Sequence, residues 1–440
     1  MASDEEFYDA CETFEQLNSS EPVVEETPRI FFTDTVLTQN THQKIVDFAE
    51  YKTDVSLPAS KTELFSWTTL NLAKKANKDV KEFSGLEIIQ TITLNSNNKR
   101  NWILKFSPDS KYLALAGESS IIIILKVLGH INEKNPYLFD NPEEYKGHEQ
   151  SIVSISWNMD SEHFLSCGVD CLVLLWKIGF SIPIRQFLHE NIVTCVGFNP
   201  LNENIFYSGT LGKKIFMWTV NEGILENTYQ TQGIITAGSY SNNGTLMAVG
   251  LSNGECIIYE VNNAVLTFIT QIHCRNRKGL KSSGKKVTGI EFHDDQYLLI
   301  TTNDSRIRLY SLENFSLLQK YKGGKCNEYP LHTTFSHNSV HIIRGSEDGN
   351  TYIWNTFKSN PKRKWPSLFT NSIKNNSYEY FTLSKEKSLC DSIFASSNLL
   401  NKVQKDYLSS ESNIIISHII LTTSHQKLYI LYNQYKNIPW

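Results

Sequence analysis

Residues 147–176 read GHEQSIVSISWNMDSEHFLSCGVDCLVLLW. Alternating apolar and β-branched residues, interrupted by Asn, Asp, Ser and Gly, predict three short strands joined by tight turns. The same stretch carries His148, Ser166, Asp170 and Trp176. Two readings compete for them: a nucleophile with its base, or a polar clip that closes a small sheet.

Comparison with the rest of the chain separates the two. Units of the same design recur from residue 101 onward: NWILKFSPDSKYLALAGESSIIIILKV, then the opening stretch, then HENIVTCVGFNPLNENIFYSGTLGKKIFMWTV and GIITAGSYSNNGTLMAVGLSNGECIIYEV. KKVTGIEFHDDQYLLITTNDSRIRLYSL and PLHTTFSHNSVHIIRGSEDGNTYIWNT complete six units, ending near Thr356. Self-similarity at this period predicts a radial array of small sheets. The polar positions recur in decayed form. His189, Ser208 and Trp218 persist in the third unit with Gly212 in the aspartate slot, Asp304 and Asp348 persist in the fifth and sixth, and Tyr259 and Tyr310 replace tryptophan. Chemistry would not survive such decay, whereas a structural clip can be lost from one sheet while burial between sheets holds the rest.

Gly147-His148, Asp170 and Trp176 stand at the spacing of the WD-repeat β-propeller family, which the chain resembles over about three quarters of its length. The resemblance implies an all-β fold, a seven-bladed WD40 β-propeller over residues 87–440. It also implies a buried row in which Trp176 donates to Ser166, Ser166 reaches His148, and Asp170 holds the other imidazole nitrogen. His189, Ser208 and Trp218 would form the shorter version. SLCDSIFASSNLL and NIIISHIILTTSHQKLYILYN are expected to supply strands of a divergent seventh blade, and EIIQTITLN, residues 87–95, to close the ring from the other end of the chain. Closure in this way leaves no free sheet edge at the seam.

The 440 residues, 40% of them apolar, suffice for a large core. Net charge is −4, yet residues 1–28 hold nine acidic and no basic side chains, so the remainder is mildly basic. That balance lacks the concentrated Lys/Arg face expected of a nucleic-acid binder. Eight scattered cysteines without a C-x-x-C pair predict reduced thiols and no metal or other cofactor. No basic-then-apolar leader opens the sequence, and its longest aliphatic run, Ile121 to Leu125, is too short for a bilayer. A cytoplasmic chain, at most peripheral to membranes, is the expectation.

Residues 1–30 form an acidic tail too poor in apolar residues to fold alone, and disorder is expected there. Within it Glu6-Phe7-Tyr8-Asp9-Ala10-Cys11-Glu12 resembles the FFAT motif, which docks on VAP proteins of the endoplasmic reticulum. The resemblance makes Phe7 the anchor, Tyr8 a second aromatic contact, Asp9 and Glu12 acceptors and Ala10 a flush small side chain, with Glu6 among the steering acids. Residues 31–86 read as a linker. Inside it ELFSWTTLNLAKKANKDVKEF, residues 63–83, can place Phe65, Leu72, Ala76, Val80 and Phe83 on one stripe of an amphipathic helix, with Trp67, Lys74, Lys75, Lys78 and Lys81 as contacts for a GTPase or a membrane surface; the alternative is a helix or loop packed on the propeller. RNRKGLKSSGKK, residues 275–286, is a further basic cluster suited to anionic headgroups or to solvent.

Several stretches, among them QIHCRNRKGLKSSGKKVTGIE, TTNDSRIRLYSL and FSHNSVHIIRGSEDGNTYIWNT, look like those of the WD-repeat effectors of the recycling-endosome Rab GTPase, whose fungal relatives include the 2-deoxyglucose-resistance proteins. That resemblance implies a non-enzymatic adaptor between endosomal or tubular export membranes and the endoplasmic reticulum, with a Rab GTPase and VAP as partners. The alternative is a scaffold subunit of a multiprotein complex, such as a ubiquitin-ligase substrate receptor. An enzyme ranks last.

Overall fold

The inner strands Asn101–Phe106, Ile152–Trp157, Val193–Phe198, Ile235–Tyr240, Val287–His293, Thr334–Phe335 and Ser392–Phe394 each begin one of seven sheets. The computed structural model describes residues 62–63, 74–78, 81–94, 99–128, 138–275, 284–357, 373–383, 389–408, 414–424 and 426–436. Numbering blades from the strand at 101, blades 1 to 5 run outward through four successive antiparallel strands, as period-2 alternation with intervening turn residues requires, and the first three strands of blade 6 do the same.

Blade 2 is representative. His163–Gly168 pairs with Ile152–Trp157 on one side and Leu172–Lys177 on the other, and Arg185–Leu188 forms the outer edge. The turn between its second and third strands places Cys171 at φ 62°, and Lys213 (62°) and Ser305 (58°) hold the same left-handed position in blades 3 and 5, where blades 4 and 6 use Gly254 and Gly349.

Apolar burial lies between adjacent blades. Leu165, Phe187, Val196, Phe206 and Trp218 form one such layer between blades 2 and 3. Hydrogen bonds bridge the junctions around the ring. Trp157 Nε1 donates to Lys105 O (3.1 Å), Phe198 N to Ser156 Oγ (3.1 Å), Thr194 Oγ1 to Ile235 O (2.9 Å) and Thr236 Oγ1 to Val287 O (2.7 Å). Thr301 meets Thr333 (2.8 Å), Thr351 meets Thr422 (2.9 Å), and Thr423 Oγ1 donates to Asn101 O (3.4 Å), which joins blade 7 to blade 1.

Blade 7 draws on both ends of the described chain. Leu86–Thr93 pairs with Lys427–Lys436, which pairs with Ile414–Ser424 and then Ser392–Phe394. Gln90 fastens this seam: its Oε1 accepts from the backbone of Leu138 and Phe139, and its Nε2 donates to Phe139 O.

Three expectations are corrected. The segment SLCDSIFASSNLL is only partly strand, because Ser397–Leu408 is a helix that buries Leu399, Leu400 and Val403 against blade 7. The sixth blade does not end near Thr356: its outer strand is Tyr378–Thr382, and Ile373–Asn375 runs parallel on the outside of blade 5. An amphipathic helix over 63–83 is not formed where the chain is described. Lys74–Ala76 is instead a strand on the outer edge of blade 6, and Thr62–Glu63 pairs on the outside of blade 7. The unpaired backbone of the Tyr378–Thr382 edge offers hydrogen bonds that helical periodicity cannot match, and Phe83, fully buried, packs with Ile343, Phe394 and Leu431 rather than along a helix stripe.

Candidate interaction site

In blade 2 the second and third strands hold Ser166 and Trp176 side by side, while the loop before the inner strand brings His148 over them. His148 Nδ1 lies 2.7 Å from Asp170 Oδ2 and Nε2 lies 2.6 Å from Ser166 Oγ; Trp176 Nε1 donates to the same oxygen at 2.7 Å. Asp170 also accepts from the backbone N–H of Glu149 and Leu172. This bonding makes Nδ1–H the donor to Asp170 and leaves Nε2 to accept from the serine. Ser166 and the His148 side chain are sealed from solvent, so no substrate reaches the hydroxyl. The row is a strand clip.

Blade 3 brings His189, Ser208 and Trp218 together in the shorter form: His189 Nε2 lies 2.7 Å from Ser208 Oγ, and Trp218 Nε1 donates to it at 3.0 Å. With Gly212 in place of a carboxylate, His189 Nδ1 donates to Phe187 O instead, and burial pulls the imidazole down to about 4. Blades 5 and 6 use substitutes that sequence reasoning missed. Asp304 accepts from Thr302 Oγ1 (2.5 Å) and Arg308 Nη2 (3.0 Å), and Asp348 from Tyr352 Oη (2.8 Å). Arg308 and Tyr352 both stand four residues after the turn aspartate, a spacing visible in the sequence. Arg344 occupies the serine slot of blade 6, its guanidinium beside the Trp354 ring and donating to Gly323 O.

The basic strap, the stretch before the ring within residues 63–83, was expected to offer its lysines to a GTPase or a membrane surface. Lys74 and Lys75 are exposed on their strand, but Lys78 is withdrawn: its Nζ lies 2.7 Å from Glu379 Oε1 and 2.9 Å from Glu82 Oε1. Glu379, fully buried, also accepts from the backbone N–H of Glu82 and Phe83. Burial alone would raise Glu82, but hydrogen bonds from Lys78, His341 and Asn355, with the lysine charge, hold its carboxyl at about 2. His341 donates from Nε2 to Glu82 Oε2 at 2.7 Å; the His418 ring meets it edge-on, with centroids 5.1 Å apart, and His337 lies tilted against His418 at 5.3 Å. Burial, then the neighbouring His341 and His337, keep His418 neutral down to about 3. Nothing in local sequence pointed to this histidine group, whose members are up to 81 residues apart and meet only where blades 6 and 7 touch. Lys81 is described without a regular element, and Trp67 and the segment Glu6, Phe7, Tyr8, Asp9, Ala10 and Glu12 lie outside the described residues.

Inner-strand residues of blades 1, 4, 5, 6 and 7 line a cavity of about 380 Å³, Lys105, Tyr240, Glu291, His293 and Thr334 among them. Burial raises Glu291 to about 7, with Lys105 and the Phe335 N–H opposing, and Asp391 is likewise raised to about 7 by burial. Among the described residues no group of three His, Cys, Asp or Glu side chains is arranged to hold a metal ion, and no helix is long and apolar enough to cross a membrane. The seven described cysteines are free.

Residues 141–177 match the family model "WD domain, G-beta repeat". The chain is similar to WD repeat-containing protein 44 of Xenopus laevis, 36% identical over 218 residues, which is 49% of this chain and 24% of that protein. An uncharacterised WD repeat-containing protein of Schizosaccharomyces pombe is 27% identical over 58% of this chain and 47% of its own length. A WD repeat-containing protein 26 homolog of Arabidopsis thaliana is 23% identical over 59% and 42%. The matched stretch thus spans less than half of each relative. With seven sheets in a closed ring, this chain is a seven-bladed β-propeller, and the blade that carries the full His–Ser–Asp–Trp row is the one that matches the WD-domain model.

Proposed function

We propose that the chain is a non-enzymatic adaptor of the Rab-effector kind, tethered to VAP proteins of the endoplasmic reticulum by Glu6, Phe7, Tyr8, Asp9, Ala10 and Glu12, and serving endosomal or tubular export membranes. The observation that carries the reading is the 36% identity to WD repeat-containing protein 44, taken with the acidic EFYDACE segment at residues 6–12. The blade rows supply support of a different kind. Their histidine, serine and aspartate groups are engaged in holding strands together, which leaves the blade faces and rim as the surfaces that meet partners. The GTPase arm is assigned to the strap, through Trp67, Lys74, Lys75 and Lys81; Lys78 is omitted because its ammonium is held between two carboxylates. Acidic flanks around Phe7 would steer the tail to a basic partner, so its binding weakens with salt.

Titration of a peptide of residues 1–28 against a VAP domain tests the tether. Micromolar binding abolished by Phe7→Ala supports it, and absence of binding removes it. For the GTPase arm, the full chain is used to capture Rab proteins loaded with GTP or GDP; equal recovery of both forms rules out an effector. The second reading, a scaffold subunit of a multiprotein complex, is favoured by the breadth of the match to the Arabidopsis WD repeat-containing protein 26 homolog, which covers 59% of the chain without requiring the tail to act.

A further inference from the structure

The third and fourth strands of blade 5, Arg306–Ser311 and Leu317–Lys322, together with the added parallel strand Ile373–Asn375, put five cations on one face of the sheet. Arg306 stands opposite Lys322, and Arg308 stands opposite Lys320, which in turn stands opposite Lys374. Side chains alternate across a strand, so all five share the side of Tyr310, which packs in the core between blades 4 and 5. Strand pairing fixes the cations of one row about 5 Å apart and the two rows about 7 Å apart. Lys322 and Lys374 are exposed and Arg306 is partly exposed. Asp304, paired with Arg308 at 3.0 Å, is the only carboxylate on these strands and the 303–305 turn, and among the described residues no carboxylate pairs with Arg306, Lys322 or Lys374.

Both ends of the basic loop 275–286 meet this face. Cys274 Sγ lies 3.6 Å from Tyr310 Oη, and Asn303 N donates to Lys286 O at 2.9 Å, which brings Arg275, Lys285 and Lys286 to the end of the sheet where Arg306 stands. Residues 276–283 and 358–372, outside the described residues, contain seven further Lys or Arg and no Asp or Glu, so these neighbouring segments add positive charge and offset none. Like charges directly opposite one another destabilise a sheet, and here both rows repeat that arrangement. The crowding is felt at Lys320, which burial first, and then Arg308, Arg306 and Lys374, draw below the ordinary lysine range against the pull of Asp304. A face that accepts this cost is suited to a partner that brings several negative charges.

We propose that this face of blade 5 docks on membrane lipids whose anionic headgroups carry more than one phosphate. Cations fixed in rows on paired strands are in place before the ligand arrives, so a headgroup with two phosphates engages two of them at once at little ordering cost. Arg306 can take a phosphate through two N–H groups, while Lys322 and Lys374 act as point charges beside it. A nucleic-acid strand fits less well, because its bases stack on exposed aromatic rings and the one ring on this side, Tyr310, is 4% exposed. An acidic peptide is gripped by an anchor side chain in a pocket as well as by charge, whereas the exposed positions of this face are both lysines. The inference goes beyond the adaptor reading and needs neither the Rab nor the VAP arm.

Co-sedimentation of the full chain with protein-free vesicles tests the proposal. The vesicles are phosphatidylcholine alone, or phosphatidylcholine with phosphatidylinositol bisphosphate or phosphatidylserine at matched surface charge. The expected result is retention on the bisphosphate vesicles above both others, weakening as salt is raised. Lys322→Gln combined with Lys374→Gln should lower the partition coefficient by about tenfold or more with unchanged thermal unfolding. Lys126→Gln combined with Lys213→Gln, an equal charge loss at exposed positions on blades 1 and 3, should leave it within about twofold of the parent. Equal retention on the two anionic vesicles, equal losses in the two double variants, binding of soluble inositol phosphates without retention on vesicles, or capture of the acidic residue 1–28 peptide in preference to the bisphosphate vesicles would each overturn it.

Discussion

Both ring nitrogens of His148 are engaged inside blade 2, so Asp170→Ala leaves Nδ1–H and the Glu149 N–H without their acceptor. The expected loss is about 1 to 3 kcal/mol of unfolding free energy, the cost of orphaned buried donors, measured by urea denaturation; a loss near zero would show that the row does not hold the blade. His189 gives a pH dependence of definite sign. Its folded-state value near 4 lies below the ordinary 6.5, so between these values the unfolded chain binds a proton that the folded chain refuses. The stability linked to it is complete above pH 6.5 and is lost as pH falls toward 4, by on the order of 2 kcal/mol once solvent access at the ring edge is allowed for. His418 acts in the same direction, while Glu291 and Asp391, raised to about 7, oppose it over the same interval. The effect is therefore read as a difference: His189→Asn should flatten the acid limb of stability against pH relative to the parent chain, and an unchanged slope would count against the assignment.

At the scale of elements, the strap before the ring is held by one buried carboxylate. Glu379 accepts from Lys78 Nζ and from two backbone N–H groups, and Glu82 continues the chain of contacts to His341 and Asn355. Glu379→Ala removes the acceptor and strands Lys78 beside Glu82 alone. A destabilisation of roughly 3 to 5 kcal/mol is expected for breaking a buried pair by removing one partner, together with new tryptic cleavage at Lys74, Lys75 or Lys81. Cleavage no faster than in the parent would mean that the strand pairing at Lys74–Ala76 holds the strap by itself. The fit of Phe83 under this network explains why a helix over 63–83 loses: its ring is worth more in the blade 6 and 7 core than on a solvent-facing stripe.

For the whole molecule, cooperativity depends on closure. Leu86–Thr93 joins the two ends of the described chain in one sheet, and Gln90 ties that sheet to the Leu138–Phe139 backbone beside blade 1. Deleting residues 86–93 exposes the edge of Lys427–Lys436 and uncovers Leu428, Ile430 and Leu431. The single unfolding transition is expected to give way to a broad or biphasic one, with aggregation from the opened edge, as followed by calorimetry; a sharp transition at the parent temperature would refute the role of the seam.

How much of this was legible follows from the range of the interactions. Strand alternation, tight-turn residues and the spacing of His148, Asp170 and Trp176 are local, repeated patterns, and they determined the class of fold and six of the blades because each of these is a nearly self-contained hairpin stack, whereas the seventh, built from both ends of the described chain, carries no such repeat. The helix Ser397–Leu408, the outer strand Tyr378–Thr382 and the strap strand Lys74–Ala76 depend on edges and cavities contributed by residues up to about three hundred positions away, and no short window carries that information. The histidine group at 337, 341 and 418, the Arg344 that replaces a serine under Trp354, and the cation rows of blade 5 exist only once strands and blades stand side by side. Repetition wrote the ring into the sequence; which side chains are sealed inside it and which remain for partners was decided by tertiary packing, since burial is a property of neighbours and not of order along the chain.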